Sequence, residues 1–443
     1  MLHTNPFTYS VDTTNKYGLP LIPDEHWEPL FAELGKQSIG LLMQLDPTHA
    51  ELYQKEIPQT FNDIPKQFKD AMHEMMAGCF DQKSKLFEMM TRNVIVKYAS
   101  YLRFLMERRL YKEKLESTDL LPSLFVLALP RSGSTFLHTI LSSNALAETM
   151  AMYEHLAPGP FTMTSQSRKN FGNQLVSTVH SHTSTLNEVH VLKSAEQAEE
   201  ELFFLETLGH SYLFPNAVPR YEMYRKGMFE RNYEFAYDQL KDHMKMHQLE
   251  FSVPATKHFV MKGVSHFVAL SGMLETFGQL SDNNYFIWIH REPVDEIKSL
   301  LLMLEEARGW YSDDIGFDDE HDKEWMVKNA IQANLLNLKN SLAIRDAWIN
   351  ENPDRASRII DVGFKDTIAH PVETVKRIYT RVGLEFNDET EKKILEAVKN
   401  DPQKQFGKKK ENPFKINEQD IRHTFKFYYD RFPSYMPNYY GNN

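Results

Sequence analysis

Residues 124–141 read Leu-Phe-Val-Leu-Ala-Leu-Pro-Arg-Ser-Gly-Ser-Thr-Phe-Leu-His-Thr-Ile-Leu, and this stretch decides the fold of the chain. The apolar run from Leu124 to Leu129 predicts a buried strand, and the apolar spacing after Thr135 predicts a helix. A tight turn separates the two elements. A turn of this kind aims backbone N–H groups and a helix N-terminus at one point, which suits a phosphate or sulfate group.

The side chains of the turn also suit an anion. Arg131 supplies a permanent positive charge and a planar set of hydrogen-bond donors. Gly133 lets the backbone approach the anion closely, and Ser132, Ser134 and Thr135 add hydroxyl groups. The sequence therefore predicts an anion site formed by these five residues.

The turn departs from the nucleotide-triphosphate loop G-x-x-x-x-G-K-[ST] at two positions. Ala128 stands where the first Gly belongs, and Ser134 stands where the Lys belongs. Without that Lys, a kinase or nucleotide hydrolase lacks its main charge on the β- and γ-phosphates. Such an enzyme stays an alternative, against which this departure counts.

A second motif follows in residues 285–299, Tyr-Phe-Ile-Trp-Ile-His-Arg-Glu-Pro-Val-Asp-Glu-Ile-Lys-Ser. Its first six residues predict another strand, Pro293 ends that strand, and a helix continues through Ser299. Arg291 at the strand end and Ser299 about two helical turns later are placed to bind one phosphate group.

The two motifs together resemble those of the sulfotransferases that use 3′-phosphoadenosine-5′-phosphosulfate (PAPS). The turn is similar to their 5′-phosphosulfate loop, P-R-[ST]-G-[ST]-T. The spacing from Arg291 to Ser299 is similar to their 3′-phosphate motif, R-[DE]-P with a Ser eight residues after the Arg. Arg131 replaces the Lys of the cytosolic small-molecule enzymes, so the resemblance points to the Arg-type subgroup, which includes tyrosylprotein and many bacterial members.

Three weaker matches, at residues 153–158, 260–266 and 361–371, follow in the family's order. The resemblance thus runs from about residue 119 to the C-terminus. It implies an α/β, P-loop-like three-layer fold with a central parallel sheet.

Short apolar segments at 124–129, 258–262, 285–290 and 358–362 are the predicted strands, since helical stretches separate them. We expect three regions: a helical N-terminal cap region (1–118), an α/β domain (119–443), and within it a helical insertion (156–250) that forms the acceptor pocket or a lid. Ser194 and Gln197 have the spacing of a capping box, which predicts a helix through Leu205.

The resemblance implies sulfuryl transfer from PAPS to a hydroxyl (or amine) of a small or medium-sized acceptor, without a metal. Glu154, 23 residues after Arg131, is the expected general base, with His155 as its rival and His190 and His266 as outsiders. Arg131 would act electrostatically on the leaving phosphate. A non-catalytic nucleotide-binding relative is the remaining alternative.

Two basic features stay open at the level of sequence. Lys262, at the end of the 258–262 strand, either faces the donor or lies on the surface. The 404–415 loop, with its run of lysines, either closes over the 3′-phosphate or is a solvated charge run.

The composition excludes some classes of protein. The 61 acidic and 50 basic residues give a net charge of −11, which argues against a nucleic-acid binder. The single cysteine, Cys79, rules out an intramolecular disulfide and fits a reducing compartment. We find neither a signal-peptide pattern nor an apolar run of membrane-spanning length. We therefore expect a cytoplasmic protein without a membrane anchor.

Overall fold

The computed structural model of the chain describes residues 7, 9, 21–79, 85–182, 190–309, 319–401 and 412–436. The strands are β1 (Ser123–Ala128), β2 (Ala147–Glu148), β3 (His258–Gly263), β4 (Tyr285–His290) and β5 (Ile359–Gly363). The α-helices are α1 (Asp24–Leu45), α2 (Ala50–Glu56), α3 (Lys66–Ala77), α4 (Lys85–Leu110), α5 (Lys112–Glu116), α6 (Ser134–Leu141), α7 (Met152–Leu156), α8 (Ser165–His182), α9 (Leu202–Thr207), α10 (Leu213–Ala217), α11 (Glu222–Glu230), α12 (Glu234–Phe251), α13 (Leu270–Leu280), α14 (Pro293–Gly309), α15 (Asp319–Glu351), α16 (Phe364–Ala369), α17 (Pro371–Val382), α18 (Asp388–Lys399), α19 (Glu418–Thr424) and α20 (Lys426–Arg431).

The strands form one parallel sheet in the order β2-β3-β1-β4-β5. The predicted α/β fold with a central parallel sheet is confirmed. The predicted strand 285–290 matches β4, and the other three predicted strands differ from β1, β3 and β5 by one residue at one or both ends. Sequence analysis missed β2, because two residues carry no periodic signal.

Both faces of the sheet are covered, which explains why its strands are mostly apolar. Side chains alternate between the faces along β1. Leu124 and Val126 pack in one apolar cluster with α6, α17 and α18. Phe125 and Leu127 pack in the other cluster, where Phe125 lies 4.7 Å from Phe277 of α13 between ring centroids. The sheet is therefore the middle layer of three.

The N-terminal helices share the larger of these cores. Buried residues of α1, α3 and α4 belong to the same cluster as those of β1 and α13. The division into a cap region and an α/β domain stays a prediction. None of the described helices is long and apolar enough to cross a membrane.

The helix predicted from the capping box at Ser194 is wrong at its start. The helix there is α9, which begins only at Leu202. The Ser194 hydroxyl instead accepts a hydrogen bond from the Glu196 amide at 3.2 Å, and the Gln197 side chain accepts one from the Lys193 amide at 3.0 Å. These local bonds close a turn, which competes with helix formation.

Candidate active site

The two sequence motifs meet at one edge of the sheet. Strands β1 and β4 are parallel neighbours, with Leu127 paired to Trp288. The carboxyl ends of parallel neighbours lie side by side, so Arg131 and Arg291, each within four residues of this pair, lie close together. Ligands of open parallel sheets bind at such an edge.

The turn after β1 has an unusual backbone. Arg131 has φ 64° and Gly133 has φ 83°, both in the left-handed region. For Arg131 this conformation is strained, and such strain clusters at ligand sites. A Cβ on Gly133 would lie 2.7 Å from the ring of Phe364, so both φ and space require glycine here. Gly133 leads directly into α6, whose first N–H groups face the turn.

Three of the residues that the sequence predicts to bind phosphate groups, Arg131, Arg291 and Ser299, are in contact. The Arg291 guanidinium donates to the backbone carbonyl of Arg131, and Arg131 Nε donates to Ser299 Oγ at 3.2 Å. The Phe364 ring lies 4.4 Å from the Arg291 guanidinium carbon. Arg131 therefore links the anion turn to the second motif.

Two partly buried cations, Arg131 and Arg291, lie beside each other at this point. Burial, with the nearby charge of Arg291, lowers the pKa of Arg131 to about 10, which still leaves it a cation at neutral pH. Among the carboxyl groups, the buried Glu296 has the largest electrostatic effect on the pKa values of both Arg131 and Arg291. Burial raises the pKa of Glu296 to about 8, even though Arg291 and Arg131 act against this, so the carboxyl is largely neutral near pH 7. An incoming anion can supply the missing negative charge.

The remaining residues of the predicted anion site differ in access. Gly133, Ser134 and Thr135 line the cavity described below, together with Arg131 and Arg291. Ser132 is buried under the turn.

Lys262 lies beneath the turn rather than on the surface, with 1 % of its area exposed. Its Nζ contacts Thr135 Oγ1 at 3.1 Å, Glu200 Oε1 at 3.1 Å and Glu199 Oε2 at 3.3 Å. Burial would lower the pKa of Lys262, but the two carboxylates outweigh it and raise that pKa. Lys262 is therefore a fixed cation that joins the turn to the 199–200 segment, and the surface alternative is wrong.

Glu154 occupies a different environment from the one expected of a base. It is 3 % exposed, and its carboxylate accepts hydrogen bonds from the Ala151 amide at 2.7 Å and from His247 Nδ1 at 2.5 Å. Burial would raise the pKa of Glu154, but the hydrogen bond and charge of His247 outweigh it and keep the pKa below its usual value. Its role as base stays a prediction, which this geometry does not favour.

His155 is also enclosed. It is fully buried, and burial lowers its pKa to about 4. Neither His155 nor Glu154 is among the described residues that line the cavity. His266 is buried as well, with its Nδ1 2.7 Å from the Tyr237 hydroxyl.

The anion turn opens into a cavity of about 1280 Å³. The usual range for a ligand pocket is about 300–1000 Å³, so this cavity is larger than a typical pocket for one ligand. Away from the turn its wall is mostly apolar and includes side chains from the N-terminal helices and from the 156–250 region. Examples are Met75, Met89, Met90, Leu156, Phe203 and Leu213.

Sequence analysis did not identify the acidic partners of Lys262. Glu199 lines the cavity and accepts a hydrogen bond from His190 Nε2 at 3.1 Å, and Glu200 lines it too. The sequence signal for these partners is the run of glutamates from 199 to 201, which falls within the predicted helix. The 404–411 part of the predicted basic loop (404–415) lies outside the described residues.

Comparisons with known proteins agree with this geometry. Residues 122–388 match the model of the sulfotransferase family. The fold is similar to that of sulfotransferase STF1 from Mycobacterium tuberculosis H37Rv, with TM-score 0.59 and 18% identity over 81% of this chain and 91% of that one. It is also similar to sulfotransferase STF9 from Mycobacterium avium, with TM-score 0.61 and 17% identity over 82% of this chain and 91% of that one. No curated protein matches the chain in sequence.

Proposed function

Because the family match covers more than half of its length, the chain belongs to the sulfotransferase family and catalyses sulfuryl transfer, and on this premise we propose which residues bind PAPS and which kind of acceptor receives the sulfuryl group. The acceptor is a small or medium-sized molecule with a hydroxyl or amine group. The contact of Arg131 with both Arg291 and Ser299 carries the proposal. It joins the site proposed for the 5′-phosphosulfate to the site proposed for the 3′-phosphate.

The 5′-phosphosulfate binds at the turn of residues 131–135. There the N–H groups of the turn and the start of α6, with the Ser134 and Thr135 hydroxyls, bind its oxygens. Arg131 neutralises the charge that develops on the phosphate oxygen when the S–O bond breaks. It remains a cation, so its role is electrostatic rather than that of a general acid.

The 3′-phosphate binds to Arg291 and Ser299. A guanidinium and a hydroxyl on neighbouring elements suit a phosphate that ordinary nucleotides lack. The Phe364 ring against Arg291 limits where that guanidinium can move, which favours one orientation of the donor.

The acceptor occupies the apolar part of the cavity, and its hydroxyl or amine points at the turn. This placement is supported by the cavity's volume, which exceeds that of a single-ligand pocket, and by the apolar wall opposite Arg131. We also place the protein in the cytoplasm, where its single cysteine, the buried Cys79, would persist as a thiol.

The test is a thermal-shift titration with 3′-phosphoadenosine-5′-phosphate (PAP), the donor without its sulfuryl group. ATP and 5′-AMP are run beside it. A ligand that binds only the folded state at 100 times its Kd stabilises it by about 2.7 kcal/mol. We expect selective stabilisation by PAP. Stabilisation by ATP alone would point instead to a nucleotide-triphosphate enzyme.

Arg291→Met serves as the control variant. The substitution keeps much of the side chain's length and removes its charge, so the PAP shift should shrink while any 5′-AMP shift stays. A PAP shift of full size in this variant would remove the proposed 3′-phosphate site.

A further inference from the structure

We propose that His190 is the general base of the reaction and accepts the proton of the acceptor hydroxyl. This inference rests on the proposed function. His190 lines the same cavity as the anion turn, and its side chain is 22% exposed. A base must reach a bound acceptor, and His190 meets that condition whereas the enclosed Glu154 does not.

Glu199 sets the orientation and the tautomer of His190. Its Oε1 lies 3.1 Å from His190 Nε2, so the ring proton lies on Nε2 and points at the carboxylate. His190 Nδ1 then presents a lone pair, and it has no hydrogen-bond partner among the residues that the structure describes. A histidine held by a carboxylate through one nitrogen, with the other nitrogen free, is the usual arrangement of a catalytic base.

Glu199 itself is a poor proton acceptor. Its Oε2 is 3.3 Å from Lys262 Nζ and 2.9 Å from the Glu200 amide. Burial would raise the pKa of Glu199, but the charge of Lys262, together with the hydrogen bonds from His190 and from the Glu200 amide, acts against it, and that pKa lies well below its usual value. Glu199 is therefore a positioning residue that stabilises the imidazolium once it forms.

Glu200 is engaged in the same way. One of its oxygens lies 3.1 Å from Lys262 Nζ and the other 3.3 Å from the Val264 amide. Proton uptake at Glu200 would break a charged hydrogen bond to a buried lysine. His190 avoids that cost, because within the described part of the chain its Nδ1 has no such bond to lose.

Two further groups that line the cavity are also unsuited. The Glu206 carboxylate is bonded to Lys97 at 3.2 Å and to the Ser211 hydroxyl at 3.2 Å. His138 is buried with its Nε2 3.0 Å from the Val260 carbonyl, and burial, with the charge of Lys262, lowers its pKa to about 4.

The base is connected to the donor turn through buried side chains. Hydrogen bonds and ion pairs run from His190 to Glu199, from Glu199 to Lys262, and from Lys262 to the Thr135 hydroxyl. The position of the imidazole is thereby tied to that of the turn. Such fixed relative placement is what an in-line transfer needs.

The step balances without another reactant. The acceptor O–H bond breaks and its proton moves to His190 Nδ1. The acceptor oxygen forms a bond to sulfur, and the bond between sulfur and the 5′-phosphate oxygen breaks. The products are the sulfate ester, PAP and an imidazolium, which releases the proton to solvent.

The first experiment needs no acceptor. Nitrogen NMR of the histidine-labelled protein with PAP bound, near neutral pH, reports where each ring proton lies, and His190→Gln identifies the His190 signals. We expect the neutral ring to carry its proton on Nε2. A neutral ring with its proton on Nδ1 would overturn the proposal, because that tautomer cannot accept a proton at Nδ1.

The second experiment is kinetic and uses labelled PAPS with a panel of alcohols and phenols. His190→Gln should lower kcat by about 10²–10⁴-fold, the usual contribution of a general base, and leave the Kd of PAP within about threefold. His180→Gln is the matched control, because His180 contacts the carbonyl of Leu192 in the same segment but does not line the cavity. It should keep most of the activity.

Two results would refute the base assignment while the proposed function survives. One is a wild-type kcat in His190→Gln, and the other is an equal loss in both histidine variants, which would show that only the fold of the segment matters. If the wild-type protein bound no PAP, the proposed function itself would fail.

Discussion

Glu154→Gln separates the two roles open to Glu154, because an ion-pair partner and a catalytic base give opposite results. The structure favours the ion-pair role. Burial would lower the pKa of His247, but its hydrogen bonds to Glu148 and Glu154 outweigh this and raise the pKa to about 9, from an ordinary value of 6.5. This difference corresponds to about 3 kcal/mol of folding stability.

The stability from this cluster depends on pH in a defined direction. A raised pKa on His247 stabilises the fold fully below pH 6.5, and that stability is lost as pH rises to about 9. A lowered pKa on Glu154 stabilises it above pH 4.5 and is lost as pH falls below that value. The contribution of this cluster to folding stability is therefore largest between about pH 4.5 and pH 6.5.

Glu154→Gln removes one of the two carboxylates on His247, so we expect a loss of about 2 kcal/mol near pH 6. The difference from wild type should shrink toward pH 9. Urea unfolding at several pH values measures it. Turnover of folded protein should stay within about threefold of wild type.

Glu148→Gln is the matched control. Glu148 accepts a hydrogen bond from His247 Nε2 at 3.0 Å, so its loss perturbs the same cluster. If Glu154→Gln unfolded like wild type near pH 6 and lost far more turnover than Glu148→Gln, Glu154 would be the base and the reasoning would be refuted.

Further predictions concern the donor site. Arg291→Met should weaken PAP binding by about 10–100-fold and Ser299→Ala by about fivefold, with 5′-AMP binding unchanged in calorimetry; equal losses for both nucleotides would contradict the 3′-phosphate assignment. Gly133→Ala should lower the free energy of unfolding by about 1–3 kcal/mol and weaken PAP binding, because the new methyl group would clash with Phe364 and alanine disfavours the left-handed φ at this position. An unchanged melting temperature would show that the turn relaxes freely. Lys262→Met should lower the free energy of unfolding by about 3–5 kcal/mol, because the buried carboxylates of Glu199 and Glu200 lose their partner. Denaturant unfolding measures this loss, and an unchanged stability would mean that water solvates the two carboxylates.

The fold and the donor motifs were predictable because their signals are local. An apolar strand, a turn and a helix are adjacent in sequence around Gly133, and Arg291 and Ser299 lie on one strand–helix unit. Parallel pairing of β1 and β4 then brings the two units together.

The surroundings of the two candidate bases, Glu154 and His190, were not predictable, because they depend on contacts between residues that are distant in sequence. His247 lies 93 residues after Glu154, and Lys262 lies 63 residues after Glu199. No periodicity or motif links such pairs. The false helix start at Ser194 has the related cause that a capping pattern also suits a side-chain-closed turn.

The most direct test of the account is transfer itself: wild-type protein is incubated with PAPS labelled in its sulfuryl group and with a panel of alcohols, phenols and amines. We expect label in one or more acceptors and an equal amount of PAP released, with loss of both in Arg131→Met. Tight binding of PAP without any labelled product from the panel would contradict the account and favour a non-catalytic nucleotide-binding protein.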